Sequence, residues 1–164
     1  MPIDIRPIAP DDVPAIAHLA RTTWFDAYTS IISVEQIEYM LAQRYDHGHL
    51  RAEAEDPQKW LRQATLDGVL AGFAACEIHK GEFKLDKLYV HPDMQRKGVG
   101  TALVDHVAML AREQGFSSVI LAVNKQNERA IRAYTQYGFH VRDKTVTDIG
   151  HGFLMDDYIM EKVI

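Results

Sequence analysis

The segment YVHPDMQRKGVGTALVDHV, Tyr89 to Val107, runs from apolar strand-like residues through a turn holding Gly98 and Gly100 into a helical pattern. Such a turn leaves the first backbone N–H groups of the helix unpaired and clustered, with a partial charge of about +0.5 at that end. An anion, most simply a pyrophosphate, can rest there, and glycines let its oxygens reach the backbone. Arg96 and Lys97 add two cations beside the same end. Two common owners of this arrangement fail a direct test. A P-loop requires Lys and then Ser or Thr after its last Gly, whereas Gly100 is followed by Thr101 and Ala102. A dinucleotide fingerprint requires a third small residue where Leu103 stands, and an acidic strand end about 20 positions on, where the residues are apolar. The residues alone leave two readings, an anion cradle or an ordinary turn flanked by solvated basic side chains.

The elements around the turn follow from periodicity. IDIRPI alternates like a half-buried strand, and Val13, Ile16, Ala17 and Leu19 or Ala20 then recur at helical spacing. Ser33 and Gln36 have capping-box spacing ahead of the apolar stripe Val34, Ile37, Met40 and Leu41, which predicts a second helix. DHGHLRAEAEDPQKW reads as a loop or a short irregular helix. The turn signals Asp67-Gly68 and Lys80-Gly81 divide the next run into three antiparallel strands, near 60–65, 69–79 and 83–90. Val99, Leu103, Val107 and Leu110 form the face of the helix after the turn, closed by Gly115. SSVILAV is a strand buried on both faces, NERAIRAYTQYGF a short helix, and the remainder two strands about a turn at Asp148 to Gly150. This predicts an α/β fold with a mixed, mostly antiparallel sheet of about seven strands and about four helices on both faces.

Composition bounds the partners. A chain of 164 residues that is 47% hydrophobic suits a single domain over 1–164. Its net charge of −5 argues against nucleic acid or an anionic membrane as the main partner. No run of about 18 apolar residues occurs, so no membrane association is expected and the protein is expected to be cytoplasmic. The lone Cys76, in AGFAACEI, reads as a small buried residue and fits a reducing compartment. None of the eight histidines has zinc-ligand spacing, His47 and His49 included, and no metal is expected.

LYVHPDMQRKGVGTALVDHV resembles the acyl-CoA signature of the GNAT superfamily of N-acetyltransferases: a strand ending in an apolar residue, a short loop with Pro, then Q/R-x-x-G-x-G/A opening a helix. Gln95, Arg96, Lys97, Gly98, Val99 and Gly100 fill the six positions. A second signature of that superfamily, Asn near a helix start followed by Ala, Tyr and Gly-Phe, is matched by Asn127, Ala130, Tyr134, Gly138 and Phe139. The motifs lie within residues 60 to 140, and the element order fits over nearly the whole chain. The resemblance implies the acyl-CoA N-acyltransferase fold, acetyl-CoA as co-substrate, and a splay between the fourth and fifth strands that admits the pantetheine arm. Backbone groups of Leu88, Tyr89 and Val90 would then pair with that arm as an added strand. The pyrophosphate would lie on Gln95 to Thr101, Asn127 and Ala130 would neighbour the pantetheine, and Tyr134 would sit by the sulfur. Asn127 and Tyr134 are two helical turns apart, on one face about 10 Å from each other along the axis.

Acetyl transfer to an amine needs a neutral amine, a polarised thioester carbonyl and a hydrogen bond or proton for the departing thiolate. A backbone N–H near Val90 serves the carbonyl, and Tyr134 serves the thiolate. Deprotonating an alkylamine at pH 7 costs about 4 kcal/mol, so a base helps. Asp86 is the first expectation and Glu77 the second, although Asp86 also reads as a partner of Lys84 or Lys87. His91 reads as shaping the turn with Pro92. Trp24, Phe25 and Tyr28 are expected to line the acceptor pocket, with core packing as the competing role. The tail HGFLMDDYIMEK and the Trp-Phe-x-x-Tyr stretch are similar to the branch that acetylates spermidine and spermine, where Asp156 and Asp157 would attract a polyamine if they are not simply solvated. Other small amines, amino acids, aminoglycosides and peptide amines stay open, as does a non-catalytic acyl-CoA-binding module. Sheet-forming termini allow a homodimer.

Overall fold

The computed structural model describes residues 2–164. Seven strands, β1 (Ile3–Pro7), β2 (Lys59–Leu66), β3 (Val69–His79), β4 (Glu82–Val90), β5 (Ser118–Asn124), β6 (His140–Gly150) and β7 (Phe153–Val163), form one sheet in the order β1-β2-β3-β4-β5-β7-β6. The five α-helices are α1 (Val13–Tyr28), α2 (Val34–Arg44), α3 (His47–Glu55), α4 (Val99–Glu113) and α5 (Glu128–Gln136). Asp67-Gly68 and Lys80-Gly81 have positive φ at both residues, as two-residue hairpin turns require, and they join β2 to β3 and β3 to β4.

The sheet separates two cores. On one face, α4 and α5 cover Phe83, Leu85, Leu121 and Met160, and the predicted stripe of α4 is buried from Val99 to Leu110. On the other, α1, α2 and α3 cover Leu61, Phe73 and Ala75 with Ile16, Trp24, Ile37 and Leu50. Burying both faces of the central strands explains the unbroken apolar run of β5.

All strand pairs are antiparallel except β4 with β5, which run parallel and are in register at one pair only, Lys84 with Ile120. Beyond it the strands diverge, and the C-terminal half of β4 has a free edge facing β5. A bulge lies just before this opening. The β3–β4 ladder steps from Ala75 opposite Lys87 to Cys76 opposite Leu85, which leaves Asp86 unopposed. Bulges bend a strand and re-aim its side chains.

Two expectations need correction. The polar stretch after α2 contains a regular helix, α3, making five helices instead of about four. Asp46 caps it by accepting from the His49 N–H at 2.7 Å, and Leu50 anchors it fully buried in the core. The C-terminal turn falls at His151 and Gly152, not at Asp148 to Gly150. Asp148 instead accepts from the Gly150 N–H at a register shift inside the hairpin.

Candidate active site

The opening between β4 and β5 leads into a cavity of about 660 Å³, a size that suits a ligand with a long arm. Leu88, Tyr89 and Val90 line it from the diverging strand, and Asn127, Ala130 and Tyr134 line it from α5. Gln95, Arg96, Gly98, Val99, Gly100 and Thr101 form its far end. Of the residues expected to bind the acyl-CoA, Lys97 alone is outside this lining. The first bond of α4 runs from the Ala102 N–H to the Gly98 carbonyl, so the N–H groups of Val99, Gly100 and Thr101 have no partner within the helix.

The two glycines have different reasons. Gly98 sits at φ +85, a backbone state other residues enter at a cost, and it turns the chain into α4. At Gly100 the space a Cβ would fill is taken by the phenol of Tyr137, the residue that follows α5. The sequence reading assigned both to phosphate access, but the second also lets α5 close against α4.

Asn127 caps α5, its side-chain oxygen accepting from the Ala130 N–H at 3.2 Å. Asn127 thus both caps α5 and lines the cavity. Tyr134 projects from the same helix face against Phe139 and Tyr137. Burial, reinforced by the phenols of Tyr28, Tyr137 and Tyr45, raises the Tyr134 hydroxyl above its ordinary value. It therefore keeps its proton at neutral pH and is free to donate a hydrogen bond. His91 shapes its turn as expected, accepting from the Asp93 N–H at 3.0 Å.

A second cavity of about 520 Å³ opens on the α1–α2 side of the sheet, lined by Trp24, Met40, Gln43, Arg44, Lys84, Ile149 and Asp157 among others. The two cavities share Tyr28, Asp86, Tyr89, Leu121 and Ala122. A ligand in each would meet at these five residues. The junction is aromatic on one side: Trp24 stacks on Tyr28 at 4.5 Å, its indole N–H donates to the Tyr89 hydroxyl at 3.0 Å, and Tyr45 and Tyr89 share a 2.8 Å hydrogen bond. Burial pushes the Tyr28 phenol up to about 12, and the Asn127 side chain faces it.

Of the three predicted acceptor-side aromatics, Trp24 and Tyr28 line the second cavity and Phe25 does not. One residue along α1, Phe25 points off the cavity and lies beneath the Arg21 guanidinium, 4.9 Å from its ring centre.

Both predicted bases are committed elsewhere. Asp86 accepts from Arg44 at 2.7 Å and from Lys87 at 2.9 Å, with Lys84 at 4.0 Å. Burial alone would raise its carboxyl, but Arg44 and Lys87 outweigh burial and hold it well below the usual carboxylate range. An anion this stabilised is a poor proton acceptor, so Asp86 is an ion-pair hub at the junction instead of the expected base. Lys87, with a side chain 1% exposed, is held by Asp86 and by Glu53 of α3 at 2.9 Å. Glu77 lies 3.4 Å from Lys59 and lines neither cavity.

Sequence reasoning missed Arg44, the last residue of α2, and it weighed Asp156 and Asp157 as an undivided pair. Strand alternation divides them. Asp156 faces out to Lys125 at 2.6 Å, and Asp157 turns into the second cavity. Among the described residues no group of three or more His, Cys, Asp or Glu side chains is placed to hold a metal, and no helix is long and apolar enough to cross a membrane.

Comparison with known proteins agrees with this architecture. The chain is 30% identical over 166 residues to the spermidine N(1)-acetyltransferase of Thermoplasma acidophilum, covering 99% of this chain and 98% of that protein. It is 35% identical over 78 residues, 48% of its length and 53% of the relative's, to the ribosomal protein bS18-alanine N-acetyltransferase of Escherichia coli. Its fold superposes over the full length of both chains, with a TM-score of 0.87 and 28% identity, on the crystal structure of PaiA N-acetyltransferase from T. acidophilum in complex with coenzyme A. The model of the acetyltransferase (GNAT) family matches residues 14–139, most of the chain, and the protein belongs to that family of N-acetyltransferases.

Proposed function

We propose that this acetyltransferase moves the acetyl group of acetyl-CoA directly to a primary amine of a small molecule, with both substrates bound at once. The observation that carries this reading is the meeting of the two cavities at Tyr28, Asp86, Tyr89, Leu121 and Ala122. The pantetheine arm pairs with the free edge of β4 at Leu88 to Val90, and the pyrophosphate rests on the open N–H groups of Val99 to Thr101 with Arg96 alongside. Asn127 and Ala130 flank the arm. Tyr134 donates a hydrogen bond to the sulfur as the C–S bond breaks. A backbone N–H at the end of β4 polarises the thioester carbonyl. Trp24 and Tyr28 form the wall against which the acceptor packs.

Spermidine is the first acceptor to test, because a relative that spans nearly the whole chain bears that substrate in its name. A peptide amino terminus is the second, from the shorter match to the bS18 alanine enzyme. Family membership and a protonated phenol in the first cavity favour an enzyme over a non-catalytic acyl-CoA-binding module. The single, buried cysteine fits work in a reducing cytosol.

The test has two stages. Acetyl-CoA is expected to raise the melting temperature, since a ligand bound only to the folded state stabilises it by mass action. Release of CoA thiol is then followed with spermidine, spermine, amino acids, an aminoglycoside and an alanine-terminated peptide. Thiol release dependent on an amine supports the proposal. Thermal protection without turnover on any amine restores the binding module, and no protection removes the premise of both.

A further inference from the structure

The structure assigns Asp157 as the residue that receives the acceptor ammonium and takes its proton, an inference that rests on the acetyl-transfer reading above. Three carboxylates line the second cavity, and two are already paired: Asp86 with Arg44 and Lys87, and Glu82 with Arg142 at 2.7 Å. Asp157 forms no salt bridge within the described residues, and its Oδ1 is buried without a hydrogen-bond partner. A buried carboxylate oxygen left unpaired is costly, typically about 1–3 kcal/mol or more for a charged group, which marks it as awaiting a donor.

Its position suits an amine. Asp157 lies on β7 between Asn124 of β5 and Thr145 of β6, at the end of β5 that borders the splay. Tyr28, shared by both cavities, feels its charge. An ammonium hydrogen-bonded to Asp157 therefore sits on the acceptor side of the junction, facing the place proposed for the thioester.

Surroundings also suit proton transfer. Burial, and then Asp156 beside it on β7, raise the Asp157 carboxyl, while Lys84 of β4, Arg44 of α2 and Lys125 after β5 pull it down less strongly. Its proton affinity thus moves toward that of the amine, opposite to Asp86. The ammonium gives one proton to Asp157, and the nitrogen lone pair forms the C–N bond as the C–S bond breaks. The second nitrogen proton goes to the thiolate, and the proton on Asp157 leaves through the cavity mouth. The sum is amide, CoA thiol and one proton released to solvent.

The test compares wild type with Asp157→Asn, using spermidine, n-butylamine and the weakly basic 2,2,2-trifluoroethylamine across a pH series. Asp157→Asn is expected to lose about 100-fold or more in kcat/KM with n-butylamine and to lose the acidic limb of its pH profile. The loss should shrink below about 10-fold with trifluoroethylamine, which is already neutral and needs no base. Thermal protection by acetyl-CoA should be unchanged. Asp157→Ser replaces the Asn variant if that one fails to fold. A folded variant within twofold of wild type at every pH overturns the assignment of Asp157 alone, as does an equal loss on all three amines. Wild type inert toward every amine overturns the acetyl-transfer reading and this assignment with it.

Discussion

The Asp86 carboxylate accepts a 2.7 Å ion pair from the Arg44 guanidinium, tying the bulge of β4 to the end of α2 where the two cavities meet. Removing the charge leaves Lys87, nearly inaccessible, with Glu53 as its remaining ion-pair partner. Breaking a buried pair from one side costs about 3–5 kcal/mol, so Asp86→Asn is expected to melt roughly 6–20 °C lower.

The same pair sets a pH dependence. The folded-state value of Asp86 lies below its unfolded value near ~4, so its stabilisation is complete above that pH and is lost as pH falls. Melting curves of wild type and Asp86→Asn should be well separated at pH 7, begin to converge only below about pH 4, and remain partly separated at about pH 3. A separation independent of pH would show that the ion pairs are not its source.

Gly100→Ala places a methyl against the Tyr137 phenol. The phenol must swing aside or α4 must shift, and a shift of α4 moves the N–H groups of Val99 to Thr101. Titration calorimetry should show acetyl-CoA binding weakened by about 10-fold, with partial recovery in the double variant Gly100→Ala with Tyr137→Phe. No recovery would mean that the methyl obstructs the ligand directly.

Cys76 is 1% exposed, lines neither cavity, and its thiol is pushed up to about 12 by burial. Thiolate is the reactive form, so the folded protein should resist iodoacetamide at neutral pH and keep its activity, while the unfolded chain reacts. Rapid alkylation of the native protein with loss of turnover would contradict this.

The local features of this fold were readable because local rules governed them. The Asp67-Gly68 and Lys80-Gly81 hairpins, the stripe of α4 and the two-faced burial of β5 follow from turn chemistry and periodicity. α3 was harder to read because Gly48 and a cluster of charges obscured a helix that Asp46 caps and Leu50 anchors. In the first cavity, the two motifs led to most of the lining residues from Leu88 to Tyr134, but not to Leu121, Ala122 and Val123 of β5, which only the sheet order brings there. The second cavity depends on residues distant in sequence, Arg44 with Asp86 and Tyr28 with Asp157, and no spacing rule links them. Asp86 was legible only in part for that reason: Lys84 and Lys87 are its neighbours on β4, whereas Arg44 comes from α2, and only the assembled sheet shows that the three cations outweigh burial.

The account depends most on the two cavities being filled together. Initial rates measured while acetyl-CoA and a productive amine are both varied test this directly. Attack within a ternary complex predicts double-reciprocal lines that intersect. Parallel lines, the signature of an acetylated enzyme formed before the amine binds, would contradict it.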